Sequence, residues 1–318
     1  MSRSVLGCFL ALLCACATGQ SYPTKTVRVI APFPPGAGID IVARLVAPKL
    51  AEALGQQFIV DNRAGAAGHI GAESAAHSAP DGYTLLFAPA SIVISATLYK
   101  KLNYNLKKDL EPIALAASAP FVLVVHPSLP ARNVKDLIAL AKAKPGTLLY
   151  ASTGNGGTPH LSMEILKMQT GASIVHVPYK GTPPAVTDLI AGQVQMMFAN
   201  TLSVLPQVKN GRLRALGISS AKRSAAAPEL PTVAESGIPN FEAITWFGLF
   251  GPTGTPQPIV QRLSTETVRI VQQPDTREKL LAQGAEPIGM QQNEFRAYFK
   301  SELTKWGKVV KAVGVTLE

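Results

Sequence analysis

Cysteine is missing from almost all of this 318-residue chain: the three present, Cys8, Cys14 and Cys16, all precede residue 17. A disulfide framework, a thiol nucleophile and a thiolate metal site are thereby excluded from the body of the protein, whose stability must come from packing. Charge is sparse too, at 16% of residues, and the basic excess of +10 is scattered in pairs such as Lys107-Lys108 and Lys222-Arg223. Without a basic run interleaved with aromatics, which make up only 6% of the chain, nucleic acid is not an expected partner. Gly-x-Ser-x-Gly and the lysine-bearing P-loop are absent, so neither a serine nucleophile elbow nor a nucleotide cradle is indicated. His160 and Glu164, four apart on an expected helix, have no further histidine at ligand spacing, and no metal or cofactor is expected.

What is there is apolar bulk: 47% hydrophobic residues, over a length that suggests two lobes with large cores. The N-terminus follows the three-part pattern of an export signal, with Arg3, an apolar run from Val5 to Leu13, and small residues around Ala15-Cys16-Ala17. The 13 positions from Val5 to Ala17 fall short of the ~20 that span a bilayer. Cleavage near residue 17, or as late as 21, is the expectation, and with it a periplasmic location. The alternative is lipidation at Cys16, because Leu13-Cys14-Ala15-Cys16 loosely follows a lipobox. Cleavage before Thr18 removes one charge, that of Arg3, and takes the net charge from +10 to +9.

The mature chain is organised around Val29-Ile30-Ala31-Pro32-Phe33-Pro34-Pro35-Gly36-Ala37-Gly38-Ile39-Asp40, an apolar strand that turns through glycines into a helix. Pro34 and Pro35 contribute no amide donors, so the first free N–H groups belong to Gly36 through Asp40, where a helix N-terminus attracts anions. Asp40 reads as the cap of that helix, which is expected to run to Leu54, to stop at Gly55, and to kink or end early at Pro48. Strand, glycine turn and helix then recur. Gln57 to Asp61 leads into Asn62-Arg63-Ala64-Gly65-Ala66-Ala67-Gly68, and Thr147 to Ala151 into Ser152-Thr153-Gly154-Asn155-Gly156-Gly157-Thr158-Pro159. Ile174 to Pro178 leads into Tyr179-Lys180-Gly181-Thr182-Pro183-Pro184-Ala185. Thr158 and Thr182 read as N-caps, each followed by a proline in the first turn. A long apolar segment, Ile113 to Val125, broken by Pro120, reads as a strand crossing between lobes, with Trp246 to Gly251 as the return. Alternating strands and helices predict an α/β fold in which each lobe is a mostly parallel sheet flanked by helices, with ligand bound beyond the strand ends.

These residues resemble the Bug-type periplasmic solute receptors of tripartite tricarboxylate transporters. The resemblance rests on Pro32-Phe33 with Gly36 and Asp40, Asn62-Arg63 with Gly65 and Gly68, Pro80-Asp81-Gly82-Tyr83-Thr84-Leu85, and Val177-Pro178-Tyr179-Lys180-Gly181. It continues through Gly192-Gln193-Val194, Leu230-Pro231-Thr232 with Glu235 and Gly237, and Gly254-Thr255-Pro256. It implies a two-lobed periplasmic binding protein fold of type II character, lobe 1 being 22–122 with 245–318 and lobe 2 being 123–244. It also implies a monomeric, non-enzymatic receptor that closes on a small carboxylate and meets membrane permease components. Carried over by position, the ligand contacts are Phe33, Gly36, Ala37, Gly38, Ile39, Asp40, Ala90 and Ser91 in the first lobe. In the second they are Thr153, Asn155, Gly156, Thr158, Gly181, Thr182, Pro183, Ala185 and Asn200. The family pattern has a second glycine and a hydroxyl residue where this chain has Ala37 and Ile39. A sensory receptor for a membrane signalling protein, and an exported α/β hydrolase or lyase using Asp40 or His160, are the competing readings.

Overall fold

The computed structural model describes residues 22–99 and 101–313. The expected signal peptide and its cleavage or lipidation lie outside the described residues. The first part of the chain forms β1 (Val27–Ala31), α1 (Gly38–Leu54), β2 (Phe58–Asn62), α2 (His69–Ala76), β3 (Thr84–Pro89), α3 (Ser91–Leu98) and β4 (Leu110–Val125). A middle part follows: α4 (Val134–Ala143), β5 (Leu149–Ser152), α5 (Thr158–Thr170), β6 (Val175–Pro178), α6 (Thr182–Ile190), β7 (Met196–Asn200), α7 (Thr201–Lys209) and β8 (Arg214–Ile218). The chain returns through β9 (Ile244–Pro252) to α8 (Gln257–Gln272), α9 (Pro274–Ala282), β10 (Glu286–Met290) and α10 (Gln292–Val313).

The strands pair in the order β2-β1-β3-β9-β4-β7-β5-β6, with β8 and β10 also pairing on β4. The parallel character lies in the outer strands of each half: β1 runs parallel to β2 and β3, and β5 runs parallel to β6 and β7. The crossing strands join them antiparallel. β4 is 16 residues long and changes partner midway. Leu110 to Pro120 pairs with β9, and Phe121 to Val125 pairs with β7. The exchange falls at Pro120, which has no N–H to give to either neighbour. All of β4 except Glu111 and Ser118 is buried, which is why its sequence runs apolar without a period.

Helices cover both faces of each half. In the first, α1 and α8 bury Val42, Val46, Leu50, Leu263 and Ile270 on one side. On the other side α10 brings Phe295, Phe299 and Trp306 against Trp246 and Phe250 of β9. Within that cluster the buried Glu302 carboxylate accepts both indole N–H groups, from Trp246 and Trp306, at 3.0 Å each. The second half repeats the sandwich, with Leu137, Tyr150, Met163 and Phe198 on one face and Val124, Leu189, Met197 and Ile218 on the other.

Helix α1 runs through Pro48 to Leu54 and ends at Gly55, so the proline does not terminate it. Four elements were not expected. Helix α3 is apolar nearly all round, α7 contains Pro206 and follows β7 directly, α9 buries only Thr276 and Leu280, and β10 is a short strand with no fully buried residue.

Candidate functional site

At the β1–α1 turn the N-cap is Ala37, in extended conformation, and not Asp40 as expected. Asp40 lies inside the first turn and reaches back: Oδ2 accepts the Gly36 N–H at 2.9 Å, while Oδ1 accepts from Arg44 Nε and Asn62 Nδ2, each at 2.9 Å. Its carboxylate thus braces the turn and occupies the Gly36 amide. The first helical bond is Ile41 N–H to Ala37 C=O, which leaves the amides of Gly38, Ile39 and Asp40 without helical partners.

The caps of the second half also sit one residue earlier than expected. Gly157 and Gly181 are the N-caps of α5 and α6, and Thr158 and Thr182 are the first helical residues. A threonine at either position is compatible with a helix start; the glycine before it is extended at Gly157 and takes a positive φ of 117° at Gly181. The displaced Thr158 hydroxyl is buried and has no hydrogen-bond partner among the described residues. At α7, Asn200 is a true side-chain N-cap, with Oδ1 accepting from Ser203 N–H at 3.1 Å.

These starts surround a cavity of about 40 Å³, room for roughly three water molecules. Phe33, Ala37, Gly38, Ile39 and Ser91 line it from the first half, and Thr153, Thr158, Thr182 and Asn200 from the second. The other expected contacts lie beside it. Gly181 and Pro183 face the opposite half: a Cβ on Gly181 would stand 2.9 Å from Pro34 Cδ, and Pro183 Cγ lies 3.9 Å from where a Gly36 Cβ would be. Ala90 donates its N–H to the Trp246 carbonyl, Gly156 donates to His160 Nδ1, Asn155 is exposed, and Ala185 is packed in the core.

Pro89, in the expected contact loop of Ala90 and Ser91, completes the wall together with Phe121, Pro159, Thr245 and Phe247, which sequence reasoning missed. Phe121 and Thr245 adjoin the two crossings already visible as Pro120 and Trp246, and that adjacency was the available signal. The lining contains hydroxyls, an amide and apolar groups, and no charged side chain among the described residues. Its electrostatics come from helices instead, because the N-termini of α1, α3, α5, α6 and α7 all reach it. Arg63 is engaged elsewhere, with Asp61 at 2.9 Å and Ser74 at 2.7 Å.

Outside the cavity, and sharing Phe33 and Thr153 with it, lies an open pocket of about 520 Å³ bounded by Ala64 to Gly68, Ile70, Tyr179 and Lys180. Tyr179 donates to Asp188 at 2.8 Å, and burial together with that bond pushes its phenol up to about 12, so it stays neutral. Among the described residues no three His, Cys, Asp or Glu side chains gather as a metal site, and Glu164 is held by Tyr150 and Lys167.

The arrangement has close counterparts. BugT of Bordetella pertussis (strain Tohama I) is 38% identical over 319 residues, covering 99% of this chain and 98% of its own. Rpa4515 of R. palustris, solved with adipate, superposes with a TM-score of 0.91 at 36% identity, over 93% of this chain and 99% of that one. MatC of Rhodopseudomonas palustris, solved with bound malate, gives 0.86 at 32% identity over 91% and 100%. The model of the tripartite tricarboxylate transporter family receptor matches residues 42–315, and the chain belongs to that family of periplasmic solute-binding receptors.

Proposed function

We propose that this receptor captures a small carboxylate in the periplasm, by closure of two lobes, and presents it to the membrane components of a tripartite transporter without chemical change. The observation that carries the reading is the convergence of five helix N-termini on a cavity to which the described residues contribute no charged side chain. An anion there meets oriented amides and hydroxyls, and a cation meets no counter-charge. A hydrogen bond to a charged group contributes roughly 1.5–3 kcal/mol, so four or five supply the ~8 kcal/mol of a micromolar complex as an upper bound before ordering costs. The adipate and malate held by the two structural relatives are acids of this kind.

The lobes proposed are 22–122 with 245–318, and 123–244, hinged near 119–124 and 243–248, where β4 changes partner and β9 begins. Residues 1–17 are proposed to direct export. The contacts proposed are the cavity-lining residues, with Gly181 and Pro183 sealing the mouth against Pro34 and Gly36. A thermal-shift panel of mono-, di- and tricarboxylates, amino acids and aromatic acids tests the ligand class. Solution scattering with and without the best ligand tests closure. A carboxylate should raise the melting temperature and reduce the radius of gyration. Stabilisation by cations or neutral compounds only, or turnover of the bound acid, would replace the reading.

A further inference from the structure

The β5–α5 loop carries Thr153 and Thr158 to the cavity, and two histidines outside the cavity wall hold it. His160, in the first turn of α5, and His176, on β6, stack with ring centroids 4.0 Å apart and planes 6° apart. Tyr150 stacks on His176 at 4.8 Å and 22°. Each imidazole is tied to the loop. His160 Nδ1 accepts the Gly156 N–H at 3.0 Å, so Nδ1 carries no proton and the neutral ring is the Nε2–H tautomer. His176 Nε2 lies 2.6 Å from Ser152 Oγ, and that oxygen accepts the Gly154 N–H at 3.2 Å.

We propose that His160 is a positioning residue for ligand binding: as a neutral acceptor it fixes the Gly156 amide, and with it the loop that places Thr153 and Thr158 on the cavity wall. Protonation at Nδ1 would turn the acceptor into a donor facing another donor. His176 tolerates a proton better at its own bond, because an Nε2–H can donate to Ser152 Oγ, but two stacked imidazoliums repel across 4.0 Å. The charged groups bearing on the pair are Glu164 and Lys167, and Glu164 is already bonded to Tyr150 at 2.5 Å and Lys167 at 2.7 Å. Burial holds both rings below the usual histidine range, His176 at about 4, which keeps the acceptor in service at neutral pH.

Only the binding arm of the test rests on the carboxylate-receptor reading. His160→Asn places an oxygen acceptor where Nδ1 stands and cannot titrate, whereas His160→Phe keeps a stacking ring and removes the acceptor. In the ligand-free wild type, long-range 1H–15N spectra should show the Nε2–H tautomer at His160. Exchange protection of the Gly156 amide should fall as pH drops from 7 toward 4. With adipate as probe, His160→Phe should bind about tenfold or more weakly at pH 7.5, and His160→Asn within about threefold of wild type. His160→Asn should also keep Gly156 protected in acid. An Nδ1–H tautomer, wild-type affinity in His160→Phe, or identical acid loss in His160→Asn would overturn the proposal. If His160→Phe does not fold, the tautomer and the asparagine variant decide. If adipate fails to bind the wild type, the carboxylate reading is at fault for that probe, and Gly156 protection still judges this one.

Discussion

Gly38→Ala separates closure from folding, because the glycine is in unstrained helical backbone but faces the other half. A Cβ at this position would lie 2.6 Å from Asn200 Nδ2 and 3.0 Å from its Cγ and Oδ1. In the first half alone the substitution is benign, since alanine is the better helix former. With the cleft shut, Asn200 has to move. Moving it breaks the cap bond to Ser203 N–H, which contributes about 1 kcal/mol. It also withdraws the side-chain amide from the cavity, and a bond from that amide to a charged ligand contributes roughly 1.5–3 kcal/mol. Together the closed complex loses about 2.5–4 kcal/mol, or roughly 60- to 900-fold in affinity. Isothermal titration with the best acid from the panel measures the loss, and ligand-free thermal melting should show little change. Adding Asn200→Ser, which still caps α7 and makes room for the methyl group, should recover part of the affinity. Wild-type affinity in Gly38→Ala would refute the reasoning, for it would mean that Gly38 and Asn200 do not meet in the bound state.

Thr158→Val removes a buried hydroxyl with no partner among the described residues; the fold should be unharmed, and acid binding should weaken about 10- to 150-fold by titration calorimetry. Ile39→Thr adds a hydroxyl to the cavity wall, so malate should gain on succinate by about fivefold, and an unchanged ratio would show that this side chain does not meet the ligand. Burial lowers His69 to about 4, while the unfolded chain takes up protons near 6.5. Its contribution is therefore complete above about pH 6.5 and is lost as pH falls toward 4. By linkage that amounts to roughly 2 kcal/mol between pH 7 and pH 5, read as a lower urea midpoint and diminished in His69→Gln.

Elements with one wet and one dry face were legible in the sequence, because burial on one side writes a period. Helix α4 is such an element, with Val134, Leu137 and Ala141 buried and Lys135, Ala139 and Lys142 exposed. Where contrast is missing the period is missing too, as in Ser91 to Leu98, buried nearly all round, or Pro274 to Ala282, mostly exposed. The glycine turns of the cavity were visible because only a few residue types permit them, and Gly181, at φ 117, is one such position. The order of atoms within each turn was not: Asp40, Thr158 and Thr182 are all short polar residues at helix starts, and which amide each one serves depends on a shift of one to three residues. For the wall from Phe121, Thr245 and Phe247 the only signal was adjacency to the crossings at Pro120 and Trp246, since strands far apart in the chain place it there by topology.

Strand β9 lies between β3 and β4, pairing Phe250 with Leu86 on one side and Gly248 with Leu115 on the other. It leaves the ribosome more than a hundred residues after β4 ends at Val125. Until then β3 presents an open edge bearing Leu85, Leu86 and Phe87, and the aromatic cover from Phe295, Phe299 and Trp306 comes later still. Non-local pairing of this kind is slow, and an unpaired apolar edge invites aggregation or capture by chaperones. For a chain proposed to cross a membrane before it folds, the delay is useful: the central strand arrives too late for the first half to set while translocation is under way.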